Sequence, residues 1–182
     1  NAKFAAELRR RFEPRTEIRS LAGKHFAQRV VLDPLRIRDV RRAESVSKDA
    51  FVELLGNLKN MKSERDVGLF LDYRMQVRSD GGLAFPTIVA NGKNACCLHY
   101  VKKDEPLEPG KLLLLDFGVR IGTQHSDISR TVPVGGRFNP LQKILYSIVL
   151  DAQKFHAQNV KPGAKLADLD LLVWNFIENA LS

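Results

Sequence analysis

The stretch Leu112–Pro133, LLLLDFGVRIGTQHSDISRTVP, constrains this chain more than any other. Leu112–Leu115 is a short apolar run without helical period, the pattern of a strand buried on both faces. From His125 to Val132 the pattern alternates. Ile128 and Val132 share one face, and Asp127, Ser129 and Thr131 share the other. A hairpin with Ile121-Gly122 as its two-residue turn sets Asp116 directly opposite Asp127. Opposed residues share a face, with Cβ atoms about 5 Å apart. Two carboxylates there repel, and burial raises the cost. Exposure, a shared proton or an intervening cation relieves it. Carboxylates sharing two divalent ions about 3.5–4 Å apart are a known hydrolytic arrangement. The simpler alternative is an Asp ending one strand and a solvated Asp on the next. The local pattern leaves both open.

The flanking segments read as helices and one more hairpin. Phe4, Leu8 and Phe12 fall at helical spacing, with Pro14 closing that helix. Residues 15–35 read as irregular. Ile37, Val40, Ala43, Val46, Ala50, Phe51 and Leu54 make the apolar stripe of a helix over 36–55, with arginines opposite. Ser63 reads as the N-cap of a third helix, with Asp66 in the capping-box position. Val67, Phe70 and Leu71 give its buried face. Ala84–Ala90 is strand-like, and Asn91-Gly92 is the strongest short hairpin signal in the chain. Its return strand would be Ala95–Val101, with His99 on one face beside Cys97 and Val101. Asn139-Pro140 reads as the N-cap and first residue of a helix carrying Leu141, Ile144, Leu145, Ile148, Ala152 and Phe155. A last helix carries Leu169, Val173, Phe176, Ile177 and Ala180, with Trp174 off the stripe. From residue 36 onward the order is helix, helix, hairpin, hairpin, helix, helix. That is an α+β arrangement with helices on one face of an antiparallel sheet.

Composition narrows the partners. Residues 1–50 hold 13 Lys or Arg against 7 Asp or Glu, and residues 51–182 hold 16 against 14. The basic residues of the first segment lie among helical apolar positions without an aromatic stacking pattern. A solvated helix face is the reading, and nucleic acid is not the expected partner. No apolar run is long enough for a membrane span. The only cysteines, Cys96 and Cys97, are adjacent and make no disulfide framework. That usage suits a reducing, cytoplasmic setting. A thiolate metal site at Cys97 and His99 lacks the further ligands that a structural zinc site needs.

From about Leu35 onward, four stretches together carry a resemblance. They are PTIVANGKNACCLHY at 86–100, LEPGKLLLLDFG at 107–118, SDISRTVPVGGRFNPLQKILY at 126–146 and VKPGAKLADL at 160–169. In this order they resemble the creatinase, aminopeptidase P and prolidase family of metallopeptidases, the pita-bread fold. Ile37–Phe51 is similar to the first helix of that fold. The SDISRT form is nearer the aminopeptidase P and prolidase branch than methionine aminopeptidases.

The resemblance implies roles. Asp116 and Asp127 take the positions of two ligands in a two-metal centre. His99 takes the position of the histidine that helps bind substrate and stabilise the reacting carbonyl. The implied reaction is hydrolysis of the bond before proline in a short peptide, by a water activated between two ions of Mn²⁺, Co²⁺ or Zn²⁺. The family's remaining ligands, one His and two Glu, would lie beyond Ser182. On this reading residues 1–34 are the tail of a preceding domain or a linker, and 35–182 are the first half of a pita-bread domain. Such a piece would hold metal weakly or not at all, would be inactive alone, and would self-associate through an exposed sheet edge. Two other functions fit the resemblance: a non-catalytic pita-bread module binding protein or nucleic acid, and a creatinase-like amidinohydrolase.

Overall fold

Caps and stripes place the helices that carry the site. A computed structural model describes residues 2–12 and 19–181. Its elements are α1 (Ala2–Arg11), α2 (Ala22–Val30), α3 (Pro34–Asn57), α4 (Glu64–Gln76), β1 (Ile88–Asn91), β2 (Leu112–Phe117), β3 (Arg120–Ile121), β4 (Gln124–His125), β5 (Ile128–Pro133), α5 (Pro140–Asn159) and α6 (Leu166–Leu181). Pro14, the expected stop of the first helix, lies outside the described residues. α2 occupies a stretch whose sequence reads as irregular. It buries none of its residues, although Ala22, Phe26 and Val30 fall at helical spacing along it.

Asp33 caps α3 by accepting the Arg36 N–H at 2.9 Å, with Pro34 at the first position. Ser63 and Asp66 form the expected reciprocal box at α4. The Asp66 N–H donates to Ser63 Oγ at 3.2 Å, and the Ser63 N–H donates to Asp66 Oδ2 at 3.0 Å. Asn139 caps α5 ahead of Pro140, with Gln142 closing the same kind of box.

α3 and α4 cover one side of a three-stranded antiparallel sheet of order β1-β2-β5. Ala43, Ala50 and Leu54 of α3 and Val67, Leu71 and Met75 of α4 pack against Leu113, Leu115 and Phe117. Phe117 stacks on Phe51 with ring centres 5.7 Å apart. The expectation that the leucine run is buried on both faces holds for one face only. Leu113 and Leu115 are fully buried, whereas Leu112, Leu114 and Asp116 on the other face are half-buried. That second face carries a smaller cluster of Ile88, Ala90 and Tyr100, with Ala95 and Leu114 packed against it.

The hairpin register differs from the sequence expectation. Asp116 pairs with Ser129, not with Asp127. The cause is the turn. Ile121 pairs with Gln124, so the loop is Gly122-Thr123, and Gly122 takes a φ of +55° at its first position. Glycine adopts that left-handed conformation at little cost, so the loop forms one residue later than Ile121-Gly122 would place it. The ladder thereby slides by two residues. A slide of two preserves the faces of a strand. Asp127 therefore stays on the face of Asp116, one diagonal step away.

A second expectation fails outright. No strand forms over Ala95–Val101. Gly92–Cys96 is a 3₁₀ turn, and His99 sits in an irregular turn with a φ of +54°. β1 pairs with β2 instead. The buried Glu64 carboxylate gathers donors from around this segment, at residues 91, 94, 100 and 105.

α5 and α6 pack on one another through Phe155 and Phe176, 4.9 Å between ring centres, with Ala152 and Leu169 buried. The expected stripe of α5 is only partly covered. Leu141, Ile144 and Leu145 remain exposed, as does Trp174, which lies off the α6 stripe. Among the described residues, no helix is long and apolar enough to cross a membrane.

Candidate functional site

The open face of the sheet carries the candidate site residues. Asp116, Asp127 and His99 line one cleft of about 340 Å³ with Phe85, Pro86, Ile88 and Val101. Three separate parts of the chain thus meet there. β2 supplies Asp116, the entry to β5 supplies Asp127, and the turn before Tyr100 supplies His99.

Asp116 sits near the end of β2, opposite Ser129, whose hydroxyl donates to its Oδ1 at 3.2 Å. Burial pushes the Asp116 carboxyl above the usual carboxylate range. The Ser129 hydrogen bond opposes that push, the neighbouring Asp127 carboxylate adds to it, and the His99 imidazole works against it. Asp127 is exposed but stands between two buried residues, Ser126 and Ile128. Ser126 is pinned from three sides. Its N–H donates to Val119 O at 3.0 Å, its Oγ accepts the Val119 N–H at 2.9 Å, and the same Oγ lies 2.8 Å from Ser47 Oγ on α3. This anchoring sets where Asp127 leaves the strand. Gly118 completes it, because a side chain there would overlap the Ser126 carbonyl.

The structure brings together the three residues singled out from sequence, though by a different route for each. His99 arrives on a turn rather than a strand. Asp127 arrives on the diagonal rather than directly across. Two neighbours of these residues are not marked in the sequence reading. Ser129 was placed on the right face of its strand, but the two-residue slide hid its pairing with Asp116. Glu64 carried a signal that went unused. It lies three residues before Val67 and seven before Leu71, so a charged residue occupies the buried stripe of α4.

The donor chemistry fits a hard divalent cation in kind. Two adjacent carboxylates, one of them pushed up by burial and further by the other's charge, gain by sharing a positive charge, and oxygen donors suit Mn²⁺ with Co²⁺ and Zn²⁺ as alternatives. In number the set is incomplete. Among the described residues, no three His, Cys, Asp or Glu side chains gather to hold a metal ion.

Comparison with known proteins gives the family and the fold. The sequence model described as Metallopeptidase family M24 matches residues 38–181. The chain is 32% identical over 162 residues to Xaa-Pro aminopeptidase 2 of Streptomyces coelicolor, covering 82% of this chain and 34% of that protein. It is 32% identical over 149 residues to the Xaa-Pro dipeptidase of Pyrococcus horikoshii, covering 42% of that protein. Among solved structures, the X-Pro aminopeptidase from Thermotoga maritima superposes with a TM-score of 0.81 at 29% identity, over 86% of this chain and 44% of that one. The prolidase from Pyrococcus furiosus gives 0.82 at 28% identity, over 88% and 48%. The chain therefore spans less than half the length of each of these relatives.

Proposed function

The chain belongs to metallopeptidase family M24 and is folded in the pita-bread manner, and from that premise we propose that it contributes Asp116, Asp127 and His99 to a Xaa-Pro-directed peptidase. The observation that carries this reading is the shared cleft. Two carboxylates and an imidazole face one open space whose remaining walls are apolar. Asp116 and Asp127 would hold the divalent ions, Mn²⁺, Co²⁺ or Zn²⁺, together with ligands from outside the described residues. Bound there, such ions polarise a peptide carbonyl and make water nucleophilic at neutral pH.

The chain's own residues do the rest. Ser129 holds the Asp116 carboxylate in line with the strand by its 3.2 Å hydrogen bond. His99 presents an imidazole N–H to the oxygen of a carbonyl under attack, where developing charge is stabilised most. Phe85, Pro86, Ile88 and Val101 offer an apolar wall to a proline ring, so a short proline-containing peptide is the substrate class. On the same reading residues 1–34 belong to a preceding domain or linker. A cytoplasmic setting is supported by two free, exposed thiols, Cys96 and Cys97. Self-association is supported by the outer edge of β5, which pairs with no strand among the described residues.

The test is made on the whole protein that carries these residues. Metal content and cleavage of a Xaa-Pro dipeptide are measured beside Asp127→Ala. Loss of both in the variant is expected. Full cleavage by the variant would overturn the reading.

A further inference from the structure

Glu64 is fully buried, and among the described residues no Lys or Arg forms an ion pair with it. Such a carboxylate is costly unless donors satisfy it. Four do. The Asn91 N–H and Asn94 Nδ2 donate to Oε1 at 2.7 and 2.9 Å, and the Tyr100 hydroxyl and Glu105 N–H donate to Oε2 at 2.8 and 3.2 Å. Asn94 Nδ2 also donates to the Tyr100 oxygen at 3.0 Å, and Asp104 Oδ1 lies 3.2 Å from that hydroxyl. The single phenolic proton goes to the nearer acceptor, Glu64. Burial, then the two neighbouring carboxylates, push the Tyr100 phenol up, so it remains a donor across the working pH range.

These donors bracket one residue. His99 directly precedes Tyr100, has no strand ladder, and holds a φ of +54°. For a side chain other than glycine that conformation persists only where the surroundings over-determine it. Its determinants are the Cys97 N–H on Asn94 O at 3.0 Å and the Tyr100 ring, buried on the sheet and tied to Glu64. Asn94 and Tyr100, the two groups that flank the turn, both end on the same carboxylate.

We propose that Glu64, from the first turn of α4, is the positioning residue that fixes His99 over Asp116 and Asp127. The inference deepens the peptidase reading and rests on it for the importance of where His99 stands. Glu64 touches neither the cleft nor a substrate. It acts through Tyr100 and Asn94, so the same carboxylate that departs from ordinary core chemistry sets the geometry of the open face.

The experiment uses the whole protein that carries these residues, with ¹⁵N-labelled imidazoles and Mn²⁺ as a paramagnetic probe. His99 is assigned by the signal lost in His99→Gln. In the parent chain, Mn²⁺ at Asp116 and Asp127 broadens His99 and leaves His25 and His156, on α2 and α5, sharp. Glu64→Gln puts an amide NH₂ among donors, and Tyr100→Phe removes the phenol while keeping the ring. Each variant is expected to lower the broadening of His99 several-fold at unchanged Mn²⁺ affinity. Tyr100→Phe carries the test if Glu64→Gln does not fold. Undiminished His99 broadening in either folded variant would overturn the proposal. So would Mn²⁺ affinity lost in step with it, since Glu64 would then hold the whole cleft. If Mn²⁺ broadens nothing in the parent, the metal reading fails instead. Positioning is then read without metal, as collapse of the His99 signals toward random-coil shifts in both variants, and unchanged shifts overturn it.

Discussion

Asp116 stands across the β2–β5 ladder from Ser129, whose hydroxyl donates to it at 3.2 Å, and Asp127 lies one diagonal step along the same face. The diagonal leaves the Asp127 carboxylate close enough to Asp116 to add, by its charge and by a side-chain hydrogen bond, to the push that burial gives. Diagonal neighbours across a ladder lie about 7–8 Å apart at Cα. Side chains converge over that gap, and the space between them is where a cation would relieve the repulsion.

The raised Asp116 makes metal-free stability depend on pH in a definite direction. The folded chain holds this proton more tightly than the unfolded chain, where the group keeps its ordinary value of 3.8. Its contribution is therefore fully present below 3.8 and is lost as pH rises through the raised folded value. Asp116→Asn keeps the shape and removes the charge. In the presence of a chelator, urea denaturation should show the variant to be more stable than the parent at neutral pH, with the difference vanishing in acid. Asp33 and Asp66, held below the usual range by backbone hydrogen bonds, pull the other way in both proteins and cancel in the comparison. A variant no more stable at neutral pH would contradict the assigned direction.

Much of this site is legible in the residues themselves, and the failures have local causes. Asp116 and Asp127 are paired by strand alternation, which marks their common face, whereas His99 is singled out by the family resemblance alone. Face assignment survived the register error because a two-residue slide leaves parity intact. The register itself turned on whether Gly122 is the first or second loop residue, a choice that the tetrad Ile121-Gly122-Thr123-Gln124 states only through its preferred φ. The lost strand at Ala95–Val101 has a different origin. Its alternation and the Asn91-Gly92 pair are genuine hairpin signals, but Glu64, distant in sequence, competes with them by holding the side chains of Asn94 and Tyr100. No pattern internal to the segment records that competition. α2 is a different case: Ala22, Phe26 and Val30 fall at helical spacing, and the structure leaves all three exposed.

Gly118→Ala tests the link between the turn and the metal face. A methyl group there overlaps the Ser126 carbonyl, and Ser126 cannot yield without breaking its bonds to Val119 and Ser47. Overpacking of this kind costs about 1–3 kcal/mol. Urea denaturation should register that loss. The strand entry that carries Asp127 should move with Ser126, so Mn²⁺-induced broadening of His99 should fall as well. Unchanged stability would mean that Ser126 is not pinned as described.

Phe117→Ala tests the opposite face of the same strand. Phe117 is fully buried, stacks on Phe51 of α3, and neighbours Asp116 in sequence while pointing to the other side of the sheet. Removing a buried aromatic ring costs about 3–5 kcal/mol through lost transfer energy and the cavity left behind. The midpoint of urea denaturation should fall accordingly. The two faces of β2 are chemically separate, so the damage should be to stability rather than to the cleft. Where the variant remains folded, its Mn²⁺ affinity should match the parent. A folded variant with weakened Mn²⁺ binding would show that α3 packing reaches through the strand to Asp116, and that the helix-covered face helps shape the metal face.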